Sequence, residues 1–195
     1  MFFGTTPKIV SNYLAKEIKE HNPGKVFVLF AGNFVVEQIA SQFSNAVIES
    51  TDVSIYSRAI GFGLCDKDFK LNIKPKLEKD FYFLTTKKKP LEKAAIVIMF
   101  SEIAKAFLKK DKIAYYQSQY KDAVNNQEKY FNQVISKLLL FKNTSRINFH
   151  GIDACLLVPE IKKGDFVFYD PPVILGDYEK MLDIVDEWLL KEKEK

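Results

Sequence analysis

The sequence predicts an α/β fold built around a parallel sheet, and three observations carry that reading. Residues 25–30 (K-V-F-V-L-F) form a nearly continuous apolar run that opens into Ala31-Gly32-Asn33 and then into apolar residues at helical spacing. A run apolar on both sides suits a central parallel strand covered on both faces. A second run, Phe166 to Tyr169, is halted near the C-terminal end by Asp170-Pro171-Pro172. Proline offers no N–H to a ladder and pushes its predecessor out of the helical region, so a carboxylate is held at the strand's carboxyl end by two stiff residues. The third observation is an acidic residue, Asp52, which follows a short strand at residues 46–49 and lies 20 residues beyond Gly32. Open α/β sheets keep their ligand crevice at the carboxyl ends of the strands, where all three features fall.

Length and composition agree. A chain of 195 residues fits one domain with room for an insertion and can bury a real core. Apolar residues at 47%, with 14% aromatic, exclude a disordered chain. A net charge of +4 tolerates a polyanion without announcing one. No apolar run approaches a membrane span, and residues 1–6 lack a basic region followed by a signal core. Cys65 and Cys155 stand in unrelated contexts, and the two histidines are as sparse. These counts predict a reduced, cytoplasmic protein with no metal site.

In chain order, the first helix covers residues 7–21, with Thr6 as cap, Pro7 at the first helical position, and Asn22-Pro23-Gly24 as its end. The strand at 25–30 and its glycine turn lead to a helix carrying Val35, Val36, Ile39, Ala40 and Phe43. Glycine there lets a backbone approach a ligand closely, and the helix N-terminus offers unpaired N–H groups, so the turn favours a nucleotide or nucleoside. Asp52 is then the acid placed for ribose hydroxyls, with Glu49 in reserve. Residues 58–89 are polar, with a short strand at 80–84; a helix follows Pro90 over 91–110, and a long helix runs over 113–142, the two forming a hairpin against the sheet. Residues 147–151 read as another strand, and residues 176–195 as one amphipathic helix anchored by Trp188. Cys155 reads as a small buried hydrophobe and Cys65 as a loop residue.

An Asp-Pro turn alone would also read as a rigid loop; the glycine turn upstream shifts the balance. Phe30-Ala31-Gly32-Asn33-Phe34 resembles the F-x-G-x-G motif, and Asp170-Pro171-Pro172-Val173 the D-P-P-Y motif, of S-adenosylmethionine-dependent DNA adenine N6-methyltransferases. The resemblance implies a partial Rossmann-like methyltransferase sheet from residues 1–57 and 143–195, with an inserted helical, target-recognition segment at 58–142. It implies that Phe30, Ala31 and Gly32 border the methionine part of S-adenosyl-L-methionine, that Asp52 holds the ribose, and that Asp153 reaches the adenine amine. Asp170 would accept a hydrogen bond from the target N6, with the Pro171 and Pro172 carbonyls orienting that amine. The partner it implies is double-stranded DNA with a flipped adenine, and the divergence suggests a phage or mobile-element, antirestriction type.

The motifs also depart from the family. Phe34 stands where the second glycine belongs, and Val173 where an aromatic would stack on the base. The family continues through several more strands after the second motif, which leads us to expect that the C-terminal part of the usual domain is missing, either because a second chain or a second copy completes the sheet or because the chain is a fragment of a longer one. Within the insertion, Lys87, Lys88, Lys89, Lys109, Lys110, Lys112 and Lys121 form a candidate phosphate-facing edge, with Tyr115, Tyr116, Asn125, Asn126 and Gln127 near it for bases. Solvated helix faces are the simpler explanation for any one of these lysines, and only as a group do they suggest a phosphate-facing edge. A non-catalytic nucleic-acid or protein-binding module that kept the scaffold is therefore the alternative to an enzyme.

Overall fold

The computed structural model describes residues 7–107, 113–171, 185 and 189–190. The described chain runs α1 (Lys8–His21), β1 (Lys25–Val28), α2 (Val35–Phe43), β2 (Val47–Ser50), α3 (Ile55–Leu64), β3 (Asn72–Ile73) and two single-turn helices, α4 (Pro75–Glu78) and α5 (Tyr82–Thr85). It continues through α6 (Pro90–Phe107), α7 (Ile113–Asn125), α8 (Gln127–Thr144), β4 (Ile147–Phe149), α9 (Ala154–Leu157), β5 (Phe166–Phe168) and β6 (Leu189–Leu190).

Four strands form one parallel sheet in the order β4-β2-β1-β5. The order reverses beside β1, with β2 on one side and β5 on the other. That is the topological switch at which a doubly wound sheet opens a crevice. Val26, Val28 and Ile48 pack on one face against Leu14 and Ile18 of α1 and Val36, Ile39 and Ala40 of α2. Phe27 and Leu29 pack on the other against Ala154 and Leu157 of α9. The two-faced burial explains why the 25–30 run has no polar alternation. β5 is only half-buried, with Val167 39% exposed, because among the described residues it pairs with β1 alone.

A second apolar body is helical. α6 packs on α3 so closely that a Cβ on Gly63 would lie 2.7 Å from the Ala94 Cβ. Gly61 makes room for Phe149, whose ring would lie 2.2 to 2.5 Å from a Cβ there. Phe34 and Phe149 join this body to the sheet, and both are wholly buried.

Several expected elements differ. Residues 80–84 fall among helical turns, since Phe81 and Leu84 both point into the helical core and their three-residue spacing suits a helix rather than a strand. The expected long helix is two, parted at Asn126, whose φ of −114° and ψ of 21° leave the helical region. The α6 hairpin packs on α3, whose glycines offer a close approach, rather than on the open sheet. Leu189 and Leu190, read as helical, pair with β3 antiparallel, while Val185 is helical and buried. Thr6 and Trp188 lie outside the described residues.

The Gly61 contact makes a prediction. Gly61→Ala drives a methyl into the Phe149 ring and should cost about 1–3 kcal/mol in urea unfolding, the usual range for overpacking. Gly24→Ala, where an added Cβ meets nothing within 4 Å, should stay within about 0.5 kcal/mol of the parent.

Candidate functional site

The glycine turn between β1 and α2 is the most firmly positioned part of the site. Gly32 has φ +51°, a conformation that is costly for a side chain. A Cβ placed on it would meet nothing within 4 Å, so the space above the peptide is open to a ligand. The Gly32 N–H donates to Asp52 Oδ2 at 2.9 Å, and its carbonyl accepts from Ser57 Oγ at 2.7 Å. Asp52 Oδ1 accepts from the Ser54 N–H at 2.8 Å, which fixes the carboxylate at the end of β2. The glycine and the acid, 20 residues apart, are in direct contact.

Phe34 keeps the backbone of a glycine without being one. Its φ of +63° is left-handed, a strain of roughly 1–2 kcal/mol for a residue with a Cβ. Its ring is wholly buried, 5.7 Å from Phe149 and 6.5 Å from Phe141, and burying a phenylalanine contributes about 1.5–3 kcal/mol in return.

At the end of β4, Asp153 is exposed and caps α9, accepting from the Cys155 N–H at 2.8 Å. Cys155, expected to be buried, is exposed, because α9 turns only Ala154 and Leu157 to the sheet. The Asp153 carboxylate beside it pushes its thiol up, which disfavours the thiolate. Cys65 ends α3 half-buried, its thiol donating to the Ile147 carbonyl at 3.2 Å. Glu49, the reserve acid, is held within the sheet: His150 Nε2 is 2.8 Å away, Asn148 Nδ2 donates at 3.1 Å, and Lys25 lies at 3.7 Å. Burial works to raise its carboxyl, but those hydrogen bonds and charges outweigh it and hold it below the ordinary range.

Asp170 and Pro171 follow β5 and are exposed; Pro172 and Val173 lie outside the described residues. The Leu29 N–H donates to the Phe168 carbonyl at 3.1 Å, and Tyr169 meets Phe30 edge to face at 5.4 Å. Asp170 therefore stands beside the end of β1. Phe30, Ala31, Gly32, Asp52, Asp153 and Asp170 all gather at the carboxyl ends of β1, β2, β4 and β5. Among these six residues a hydrogen bond joins Gly32 to Asp52.

In the helical segment, Lys87 lies over the rings of Phe83 and Phe131 at 4.2 and 5.3 Å. Asn126 Nδ2 donates to Asp122, and Gln127 Nε2 to the Asp80 and Val124 carbonyls, so these amides brace the helices. Lys88, Lys89, Tyr115, Lys121 and Asn125 are exposed. Lys109, Lys110 and Lys112 lie outside the described residues.

Sequence reasoning missed Glu37, Ser50, Thr51 and Ser57, all fully buried around the turn. Small hydroxyl residues and one acid within a helix leave no periodic trace. Glu37 Oε1 accepts from Ser50 Oγ at 2.5 Å, while its Oε2 is buried without a hydrogen-bond partner. Burial, against the Ser50 hydrogen bond and with a smaller push from Asp52, raises its carboxyl to about 8.

The sign of that shift gives a pH dependence. Below about 4.5 both folded and unfolded chains hold the proton; between 4.5 and about 8 only the folded chain does. Stability therefore falls as pH rises through that window, by up to roughly 1.4 kcal/mol per unit, and levels off above it. Glu37→Gln should flatten this component, so that in urea unfolding the variant gains on the parent by more at pH 8 than at pH 6; parallel profiles for parent and variant would contradict the assignment.

No curated protein and no solved structure matches the chain. The family model described as phage DNA adenine methylase-like domain 1 matches residues 2–190. The match spans the sheet, the glycine turn, the helical segment and the Asp-Pro-Pro stretch, and the chain belongs to the phage DNA adenine methylase-like domain 1 family.

Proposed function

We propose that this chain is an S-adenosylmethionine-dependent methyltransferase acting on adenine N6 in double-stranded DNA, in an antirestriction role. The observation that supports it most is the contact of Asp52 with the open Gly32 turn, at the carboxyl ends of adjacent parallel strands, with Asp170 beside the same edge. The residues present fit the cofactor. Open space over a glycine admits its methionine portion, Asp52 has lone pairs left for ribose hydroxyls, and exposed Asp153 offers an acceptor to an adenine amine. When bound, S-adenosylmethionine supplies an activated methyl group and its own leaving group. The protein's part is alignment. Asp170 accepts a hydrogen bond from the N6 amine of an adenine turned out of the duplex and holds the proton that the amine gives up; the Pro171 and Pro172 carbonyls fix the amine's direction. In this reading residues 58–142 form the target-recognition segment and residues 1–57 and 143–195 the cofactor-binding core, with a second chain as a further partner.

One observation favours the alternative, a non-catalytic binding module. Each Asp52 oxygen already accepts a backbone N–H, which a purely structural cap would also do. Activity separates the two. With duplex DNA and S-adenosylmethionine carrying a labelled methyl group, the parent should transfer label to adenine N6. Asp170→Ala should lose about a hundredfold or more in turnover with unchanged cofactor affinity, whereas Asp52→Ala should weaken cofactor binding about tenfold or more. A folded parent that binds the cofactor or DNA without transferring label would establish the binding module instead.

A further inference from the structure

Thr51 is a wholly buried polar residue, and its hydrogen-bonding groups are committed to two separate strand ends. Its N–H donates to the Val28 carbonyl and its carbonyl accepts from the Ala31 N–H, each at 3.0 Å, which ties it to β1 and the entrance of the glycine turn. Its hydroxyl donates to the Ile152 carbonyl and accepts from the Ile152 N–H at 3.2 Å. Ile152 immediately precedes Asp153. The β-sheet ladder between β2 and β4 has already ended at Phe149, with one further bond from the His150 N–H to the Ser50 carbonyl at 3.0 Å. The Thr51 hydroxyl thus carries the connection between the strands beyond the point where backbone pairing stops.

We infer that Thr51 is a positioning residue that sets the Gly32 turn and the Asp153 loop at one fixed separation, so that both ends of a single elongated ligand are recognised together. The inference rests on the cofactor reading above and names the device by which that site is held. A hydroxyl suits the task because it donates and accepts at once, and here it satisfies both polar groups of one residue in a loop with no ladder partner of its own. A methyl group in its place leaves that N–H and carbonyl without partners, and the loop is free to turn them to water. The two halves of the site would then move independently, and a ligand spanning both would have to order them on binding.

The test compares Thr51→Ser with Thr51→Ala, which differ by one oxygen, and adds Thr51→Val, which keeps the shape without the hydroxyl. Amide hydrogen exchange on the full chain is read at residues 30–33 and 150–153, and calorimetry reads affinity for S-adenosylmethionine. Thr51→Ser should exchange and bind as the parent does. Thr51→Ala and Thr51→Val should raise exchange in both segments together and weaken cofactor binding at least tenfold, with α6 and α8 exchanging as before. Unchanged exchange, or a rise in one segment only, overturns the coupling even if the cofactor site is real. A parent that binds no cofactor sinks the methyltransferase reading while the exchange comparison still decides whether Thr51 joins the two segments. If Thr51→Val fails to fold, the Ser and Ala pair alone decides.

Discussion

Ser50, the last residue of β2, and Thr51 and Asp52 that follow it hold the candidate site together. Ser50 reaches α2 through Glu37 and β4 through the His150 N–H; Thr51 reaches β1 and Ile152; Asp52 reaches Gly32 and the start of α3. Beyond Ser50 the Thr51 hydroxyl and the Asp52 carboxylate supply side-chain links where strand pairing has ended, and buried polar groups need such partners. The glycine turn is consequently tied to the end of β2 by side-chain and backbone hydrogen bonds. Buried Glu37 is the exception, with one carboxyl oxygen unpartnered beneath an otherwise satisfied network.

The helical body depends on the sheet through two aromatic rings. Phe149 ends β4 and is received by the missing side chain of Gly61; Phe34 leaves the glycine turn and packs on Phe149. Substituting phenylalanine where the related motif carries glycine therefore has a structural account. The left-handed backbone is retained, its strain is offset by burial, and the ring is spent on joining the sheet to α8 through Phe141. The same substitution leaves Gly32 as the residue over which a ligand backbone can lie close.

Much of the sheet was legible because its strands obey simple rules. The apolar 25–30 run, the glycine turn and the spaced acid specify a strand, a ligand-facing turn and a neighbouring strand, and β1, α2 and β2 lie within a residue or two of those readings. The spacing singled out Gly32 and Asp52, but the hydrogen bond that joins them was not among the expectations. Less was legible where tertiary packing decides. Residues 80–84 are aromatic enough to suggest a strand, but Phe81 and Leu84 serve a helical core. The break at Asn126 has no proline or glycine to mark it, and Asp122 holds it through the Asn126 side chain. Cys155 reads as apolar by its neighbours, yet α9 is a single turn and faces only two residues inward. The network of hydroxyls around Gly32 left no pattern because serine and threonine look alike whether exposed or buried.

The proposed cofactor site requires one ligand to bridge the ends of β1, β2 and β4. Backbone amide chemical shifts of the isotope-labelled chain, followed by NMR as S-adenosylhomocysteine is added, decide whether it does. A bridging ligand gives saturable, concerted shifts at Gly32, Asp52 and Asp153 with a single dissociation constant. Shifts confined to the helices α6 to α8, or shifts at Gly32 without Asp153, would contradict it.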